Sequence, residues 1–323
     1  MSARPSQEKL DVFKNRNILD IVSLSREEIE TILETAAYYD EKLARKERLY
    51  DMDGKVMASL FFEPSTRTRL SFESAMLHLG GQVITVTETP SMQTSSTAKG
   101  ETLYDSIRVI NYYADVIACR SPIKGARLEI DAAATVPYIN GGDGSGEHPT
   151  QALLDLYTIY KEKGGIDGLT YAICGDLKYG RAPHSLLDAI AKFNAKKVIL
   201  ASPQELRMPA ENIEKIRETG VEIEECFDLD YACREADVIY MTRVQRERFS
   251  SQEEYERNKD LFIMTGRHVA MFPEGAIVLH PLPRINEITT EVDAYAGAAY
   301  FRQAGNGMPT RMALLALVTG SVK

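Results

Sequence analysis

Short apolar runs rich in β-branched residues alternate along the chain with stretches whose apolar positions recur at helical spacing, the pattern of an α/β protein with parallel sheets. The runs fall into two series. The first predicts strands at Val56–Phe62, Gln82–Val86, Val116–Cys119 and Val136–Asn140. The second predicts strands at Tyr171–Cys174, Lys197–Ala201, Val221–Cys226, Asp237–Met241 and Ala276–Leu279. Two series imply two doubly wound parallel-sheet domains. Between them Pro149–Lys163 reads as one bridging helix, because Pro149 suits a first helical turn and Gly164-Gly165 a stop, which places a hinge near residue 150. The expected limits are 1–149 with 305–323, and 150–304. A last apolar helix, Pro309–Val318, needs burial and is expected to pack back on the first domain. The polar segment Thr85–Gly100 and the charged segment Arg243–Asp260 read as long loops, which are more often functional than idle.

With 323 residues there is chain enough for two cores, and 44% hydrophobic with 26% charged residues is the balance of a globular protein. No stretch approaches the roughly 20 apolar residues of a membrane span. Met1–Lys14 is polar and mixed in charge, without the apolar core of a signal peptide, so a cytoplasmic protein is expected. Cys119, Cys174, Cys226 and Cys233 lie in or beside apolar runs without ligand-like pairing, and read as reduced thiols with neither disulfide nor zinc implied. A net charge of -9 argues against a nucleic-acid or anionic membrane partner. If such a chain binds anions, positive charge must be gathered at a site.

In open parallel sheets ligands sit beyond the carboxyl ends of the strands. After the first strand come Glu63-Pro64-Ser65-Thr66-Arg67-Thr68-Arg69 and then a helical run, so Ser65–Thr68 forms a helix start. Unpaired N–H groups, two hydroxyl types and a guanidinium there suit a phosphate; the plainer reading is an N-cap with solvated arginines. Arg120 follows the third strand, where it either ion-pairs or meets a bound anion. The glycine-rich turn Gly141–Gly146 feeds His148-Pro149-Thr150-Gln151; His148 and Gln151 lie three apart on one helical face, as ligand contacts or as a cap and an exposed amide. In the second domain Arg181 and Arg243 follow strands and read as carboxylate forks or as surface arginines.

Taken together, Ser65-Thr66-Arg67-Thr68-Arg69 and His148-Pro149-Thr150-Gln151 resemble the carbamoyltransferase family, and His280-Pro281-Leu282-Pro283-Arg284 resembles its aspartate-specific branch. Gly175–Arg181, Arg243–Gln245 and Gly305-Asn306-Gly307 extend the likeness over nearly the whole chain, with Asn286 standing where the family often has aspartate. The resemblance implies condensation of carbamoyl phosphate with L-aspartate in pyrimidine biosynthesis, in an active site within the interdomain cleft and without metal or organic cofactor. It implies that Ser65, Thr66, Arg67 and Thr68 hold the phosphate, that Thr68, Arg120 and His148 contact the carbonyl oxygen, and that Gln151 contacts the carbamoyl amino group. Arg181, Arg243 and Gln245 would take the aspartate carboxylates, with backbone at Pro281 and Leu282 orienting the amine. Ser95 and Lys99 would come from a neighbouring subunit, Lys99 touching both substrates, which implies a homotrimer with shared sites. Glu63 would close the domains by reaching Arg181 and Arg248, through a hinge motion at the bridging helix. Thr68, Arg120, His148 and Lys99 are then the catalytic candidates.

Three other readings compete. An acceptor such as ornithine lacks the second carboxylate that Arg243 and Gln245 would meet. A non-catalytic anion-binding or scaffolding subunit would not need a competent residue at every position. A nicotinamide dehydrogenase would need a dinucleotide fingerprint, and the glycine spacing is wrong for one. Regulation, cooperativity and association with other pyrimidine-pathway enzymes stay open.

Overall fold

A computed structural model of the chain describes residues 4–87, 100–244, 249 and 251–323. The chain divides into two compact units, Met1–Tyr157 with Asn306–Lys323, and Thr158–Gly305. The division falls inside the helix Pro149–Lys163, so one continuous helix carries the chain from the first unit into the second.

The first unit holds strands β1 (Val56–Phe61), β2 (Gln82–Thr87), β3 (Val116–Ser121) and β4 (Tyr138–Asp143), all parallel, in the order β2-β1-β3-β4. Helices Thr66–His78, Leu103–Ile110 and Ala126–Ala133 make the crossovers. Ala58, Leu60, Ile117 and Cys119 of the central strands pack with Ile107 and Ile130 from two of these helices. The chain runs from β1 to β2 on one side and then crosses to β3 on the other, so order reverses between β1 and β3. In a parallel sheet that reversal splays the two following loops apart and leaves room for a ligand at their carboxyl ends.

The second unit repeats the plan. Strands β5 (Thr170–Cys174), β6 (Lys197–Ala201), β7 (Ile223–Cys226), β8 (Val238–Met241) and β9 (Ile277–Leu279) are parallel in the order β7-β6-β5-β8-β9, with the reversal between β5 and β8. All nine strands predicted from the apolar runs are present, shifted at most a few residues at their ends.

Three readings change. β4 continues through Gly141, Gly142 and Asp143, where a turn was expected, because Ser121 pairs with Asp143 across the sheet. The charged stretch read as a loop contains the helix Gln252–Asn258, supported by an i,i+4 bond from Gln252 Nε2 to Glu256 Oε1 of 2.6 Å. The terminal helix begins at Tyr300 and not at Pro309, running through that proline to Val318. Proline removes one helical donor, yet neighbouring carbonyls find other partners: Thr310 Oγ1 donates to Asn306 O at 2.8 Å and Arg311 Nη1 to Gly307 O at 3.1 Å. Its last turns are buried throughout Met312–Val318, which secures them in the first unit.

Candidate active site

In the first unit β1 ends at Phe61 opposite Arg120 of β3, and Phe62 N donates to Arg120 O at 2.9 Å. The chain then enters the helix Thr66–His78. Ser65 stands at the N-cap in extended conformation, but its hydroxyl makes no capping bond, and the first turn carries no acidic residue. The cap reading therefore fails on geometry, and no acidic side chain in the first turn offsets the positive end of this 13-residue helix. Thr68 is buried at that start, while Thr66 and Arg67 are exposed. Arg120 Nε donates to Glu63 Oε2 at 2.8 Å, with side chains only 12% and 26% exposed. The ion-pair alternative for Arg120 is thus realised, and it is realised at the sheet's switch point.

β4 delivers His148. Asp143, at its end, is buried and gathers the turn around itself: Oδ1 accepts from Glu147 N at 2.6 Å, and Oδ2 from Gly125 N at 3.0 Å and Arg127 Nη1 at 2.8 Å. Gly144 N donates to Ser121 O at 2.8 Å, which ties this turn to the loop after Arg120. A side chain at Gly144 would meet Pro122 O at 2.6 Å, so glycine is required where the two loops cross. His148 is buried just ahead of the helix Pro149–Lys163, its carbonyl accepting from Gln151 N at 3.0 Å. Gln151 Nε2 donates to Asp155 Oδ1 at 2.8 Å, one turn further along the same helix.

In the second unit the ends of β5 and β8 are drawn together at Gly175, whose φ is +113° and whose missing Cβ would lie 2.4 Å from Thr242 O. Thr242 Oγ1 donates to Cys174 O at 3.1 Å. Asp176 is fully buried and its Oδ1 accepts from Lys178 N and Tyr179 N, bending the chain toward Arg181. Arg181 opens the helix Arg181–Ile190, again a helix start with no side-chain cap and no acid in its first turn. Arg243 directly follows Thr242 and, like Arg181, is half-buried. The switch point of this sheet therefore carries two guanidiniums, the fork a carboxylate takes. Pro281 and Leu282 follow β9. Arg284, by contrast, is a structural arginine: Nη2 donates to Asp293 Oδ2 at 2.7 Å and the group lies 5.3 Å from the Tyr300 ring.

Ser95, Lys99, Gln245 and Arg248 lie outside the described residues. Among the described residues no group of three His, Cys, Asp or Glu side chains could hold a metal ion, and no helix is long and apolar enough to cross a membrane. Cys119, Cys174 and Cys233 are buried, and burial pushes their thiols up. Asp143, Gly144, Gly175 and Thr242 stand in the segments that follow the predicted strands, but the sequence alone assigned them no role. The signal available was positional: Gly175 immediately follows a predicted strand and Gly144 lies four residues beyond another.

Two open parallel sheets, each with an arginine and an uncapped helix start at its switch point, give a two-unit α/β chain two places suited to an anion. Residues 16–161 match the family model for the aspartate/ornithine carbamoyltransferase carbamoyl-P binding domain, and residues 167–318 match that for the Asp/Orn binding domain. The chain belongs to the aspartate/ornithine carbamoyltransferase family. It is 50% identical over 311 residues to an aspartate carbamoyltransferase catalytic subunit of Methanosarcina barkeri, covering 96% of this chain and 99% of the relative. An aspartate transcarbamoylase from Trypanosoma cruzi, solved with carbamoyl phosphate and aspartate, superposes with a TM-score of 0.91 at 39% identity, covering 98% of this chain and 99% of that one. The M. jannaschii catalytic subunit is 46% identical with a TM-score of 0.85, over 93% and 97% of the two chains.

Proposed function

We infer that this chain is a transferase that moves the carbamoyl group of carbamoyl phosphate to the amine of L-aspartate, giving N-carbamoyl-L-aspartate and phosphate on the route to pyrimidines. The observation that carries this reading is an arginine at each sheet's switch point, Arg120 in the first unit and Arg181 with Arg243 in the second, in a chain half-identical to a catalytic subunit of that name. Phosphate binds at the start of the helix Thr66–His78 through Ser65, Thr66, Arg67 and Thr68, where backbone N–H groups and the helix dipole favour it. As the amine attacks, negative charge grows on the carbamoyl oxygen. Thr68, Arg120 and His148 donate to that oxygen, each such donor being worth about 3 kcal/mol in a preorganised site. Gln151 holds the carbamoyl amino group. Arg181, Arg243 and Gln245 receive the two carboxylates, and the backbone of Pro281 and Leu282 directs the amine. No covalent nucleophile is required, because phosphate is a competent leaving group and can itself take the amine proton; positioning supplies much of the rest.

The working form is a homotrimer in the cytoplasm, with Ser95 and Lys99 of one copy completing the site of the next. An uncovered edge supports this: β2 is an edge strand with Gln82, Ile84 and Thr85 exposed, and Tyr112 and Tyr113 of the same unit are 87% and 62% exposed. The test of function is carbamoyl-aspartate formation by the purified protein with L-aspartate and with L-ornithine as acceptors. Turnover with ornithine in place of aspartate would overturn the assignment of acceptor, and turnover with neither would overturn the assignment of an enzyme.

A further inference from the structure

His280 and Glu287 form a buried pair that the transfer chemistry above does not use. Their side chains are 1% and 4% exposed, and Nε2 of His280 lies 2.7 Å from Oε1 of Glu287. The partners determine which ring nitrogen carries the proton. Leu282 N donates to His280 Nδ1 at 2.7 Å, so Nδ1 must be bare; a carboxylate oxygen facing Nε2 requires a proton there. The other carboxylate oxygen of Glu287 is also engaged, accepting from Ile285 N at 3.0 Å and Asn286 N at 3.1 Å. The His280 backbone is fixed in turn by its N–H donating to Gln303 Oε1 at 2.8 Å. A single neutral tautomer is thus locked from both sides.

What that tautomer holds is unusual. Leu282 has a φ of +55°, a left-handed conformation that residues with a branched or bulky side chain seldom adopt. The bond from its N–H to His280 spans two residues and closes the turn on itself. We propose that His280, oriented by Glu287, is a positioning residue for the acceptor amine: through its bare Nδ1 it holds Leu282 in the backbone conformation that the amine-directing role requires. This rests on the reading of Pro281 and Leu282 as the amine-directing backbone. The selectivity follows directly, since both residues belong to the second unit while the phosphate-binding helix start belongs to the first.

Asparagine and glutamine separate the two ring nitrogens. His280→Asn keeps an acceptor near the Nδ1 position, whereas His280→Gln keeps a polar group near Nε2 and removes the acceptor from Leu282. His280→Gln is expected to raise the KM for L-aspartate by about tenfold, the effect of one lost hydrogen bond, with carbamoyl phosphate affinity held within about twofold. His280→Asn is expected to recover most of that loss. Equal damage from both, or an unchanged aspartate KM in His280→Gln, would overturn the proposal, because a residue that only fills the core should not distinguish the nitrogens. Nitrogen NMR of the wild-type trimer labelled at its five histidines gives an answer independent of whether the variants fold. A bare Nδ1 and protonated Nε2 at His280 is expected, and the opposite tautomer refutes the proposal. If the wild-type protein makes no carbamoyl-aspartate, the functional reading fails on that assay alone, while the tautomer is still decided by the spectrum.

Discussion

Nε of Arg120 donates to Oε2 of Glu63 at 2.8 Å across the ends of β1 and β3, so a guanidinium expected to serve the substrate is engaged by a protein carboxylate. A substrate oxygen that takes the same Nε–H competes with Glu63 for it. Glu63→Gln weakens the competitor while leaving its shape. Carbamoyl phosphate should then bind about fivefold tighter by titration calorimetry, corresponding to roughly 1 kcal/mol for a partly exposed charged pair. Unchanged or weaker binding would mean that Glu63 orients Arg120 and does not hold it back.

Removing the guanidinium itself should act on turnover. Arg120→Ala is expected to lower kcat by about 10²- to 10³-fold, the usual cost of one lost oxyanion donor. If Lys99 completes a neighbouring copy's site, Lys99→Ala is also inactive, and mixed trimers of the two variants contain some sites with both native residues. Activity regained after dissociating and reassembling the mixture would support shared sites. Two inactive parents that stay inactive together, in trimers shown to be mixed, would exclude them.

The strands were legible because β-branched runs of buried parallel strands carry a strong local signal, and the arginines were legible because such a sheet aims every strand's exit at the same edge. Where local propensity and tertiary context disagree, the reading missed. Gly141-Gly142-Asp143 has turn composition, yet pairing with β3 and the bonds to Asp143 draw it into the sheet. Gly305, Gly307 and Pro309 argue against a helix, and burial of the apolar turns that follow outweighs them. The long helix Arg26–Ala44 opens on a complete capping box at Ser25 and Glu28, a local start signal that the strand pattern does not carry. Asp143, Glu287 and His280 could not be assigned roles from spacing, because their partners, backbone groups together with Arg127 and each other, are brought together only by folding.

Gly175 makes a sharper test of the second site. A methyl group there would sit 2.4 Å from Thr242 O, immediately before Arg243, on a backbone already at φ +113°. Gly175→Ala should cost about 1–3 kcal/mol of unfolding free energy through strain and the forced separation of β5 from β8. Aspartate KM should rise, because Arg181 and Arg243 are set by those two strand ends, while carbamoyl phosphate binding to the first unit is retained. Chemical denaturation and separate measurement of the two ligands' affinities check this. Equal loss of both affinities would mean that the effect is global unfolding and not displacement of the carboxylate forks.

His268 should make the second unit sensitive to mild acid. It is buried, and burial first, then the positive charge of Arg267, hold its pKa below the usual value against the opposing pull of Asp230. In the unfolded chain the imidazole titrates near its ordinary value of about 6.5. Just below that pH the unfolded state binds the proton and the folded state does not, so stability falls as pH drops. Asp230 behaves differently: the hydrogen bond from Arg267 lowers its carboxyl, so its contribution stays constant through this window and is lost only below the ordinary carboxylate value of about 3.9. His268→Asn removes the titration but keeps an acceptor for Thr265 N, which bonds Nδ1 at 2.9 Å. Between about pH 7.5 and 5.5 the Tm of the wild type should therefore fall relative to that of His268→Asn, a comparison in which the protein's other histidines cancel. A difference that stays constant across the range, or one that shifts in favour of the wild type, would show that His268 is not held neutral by the fold.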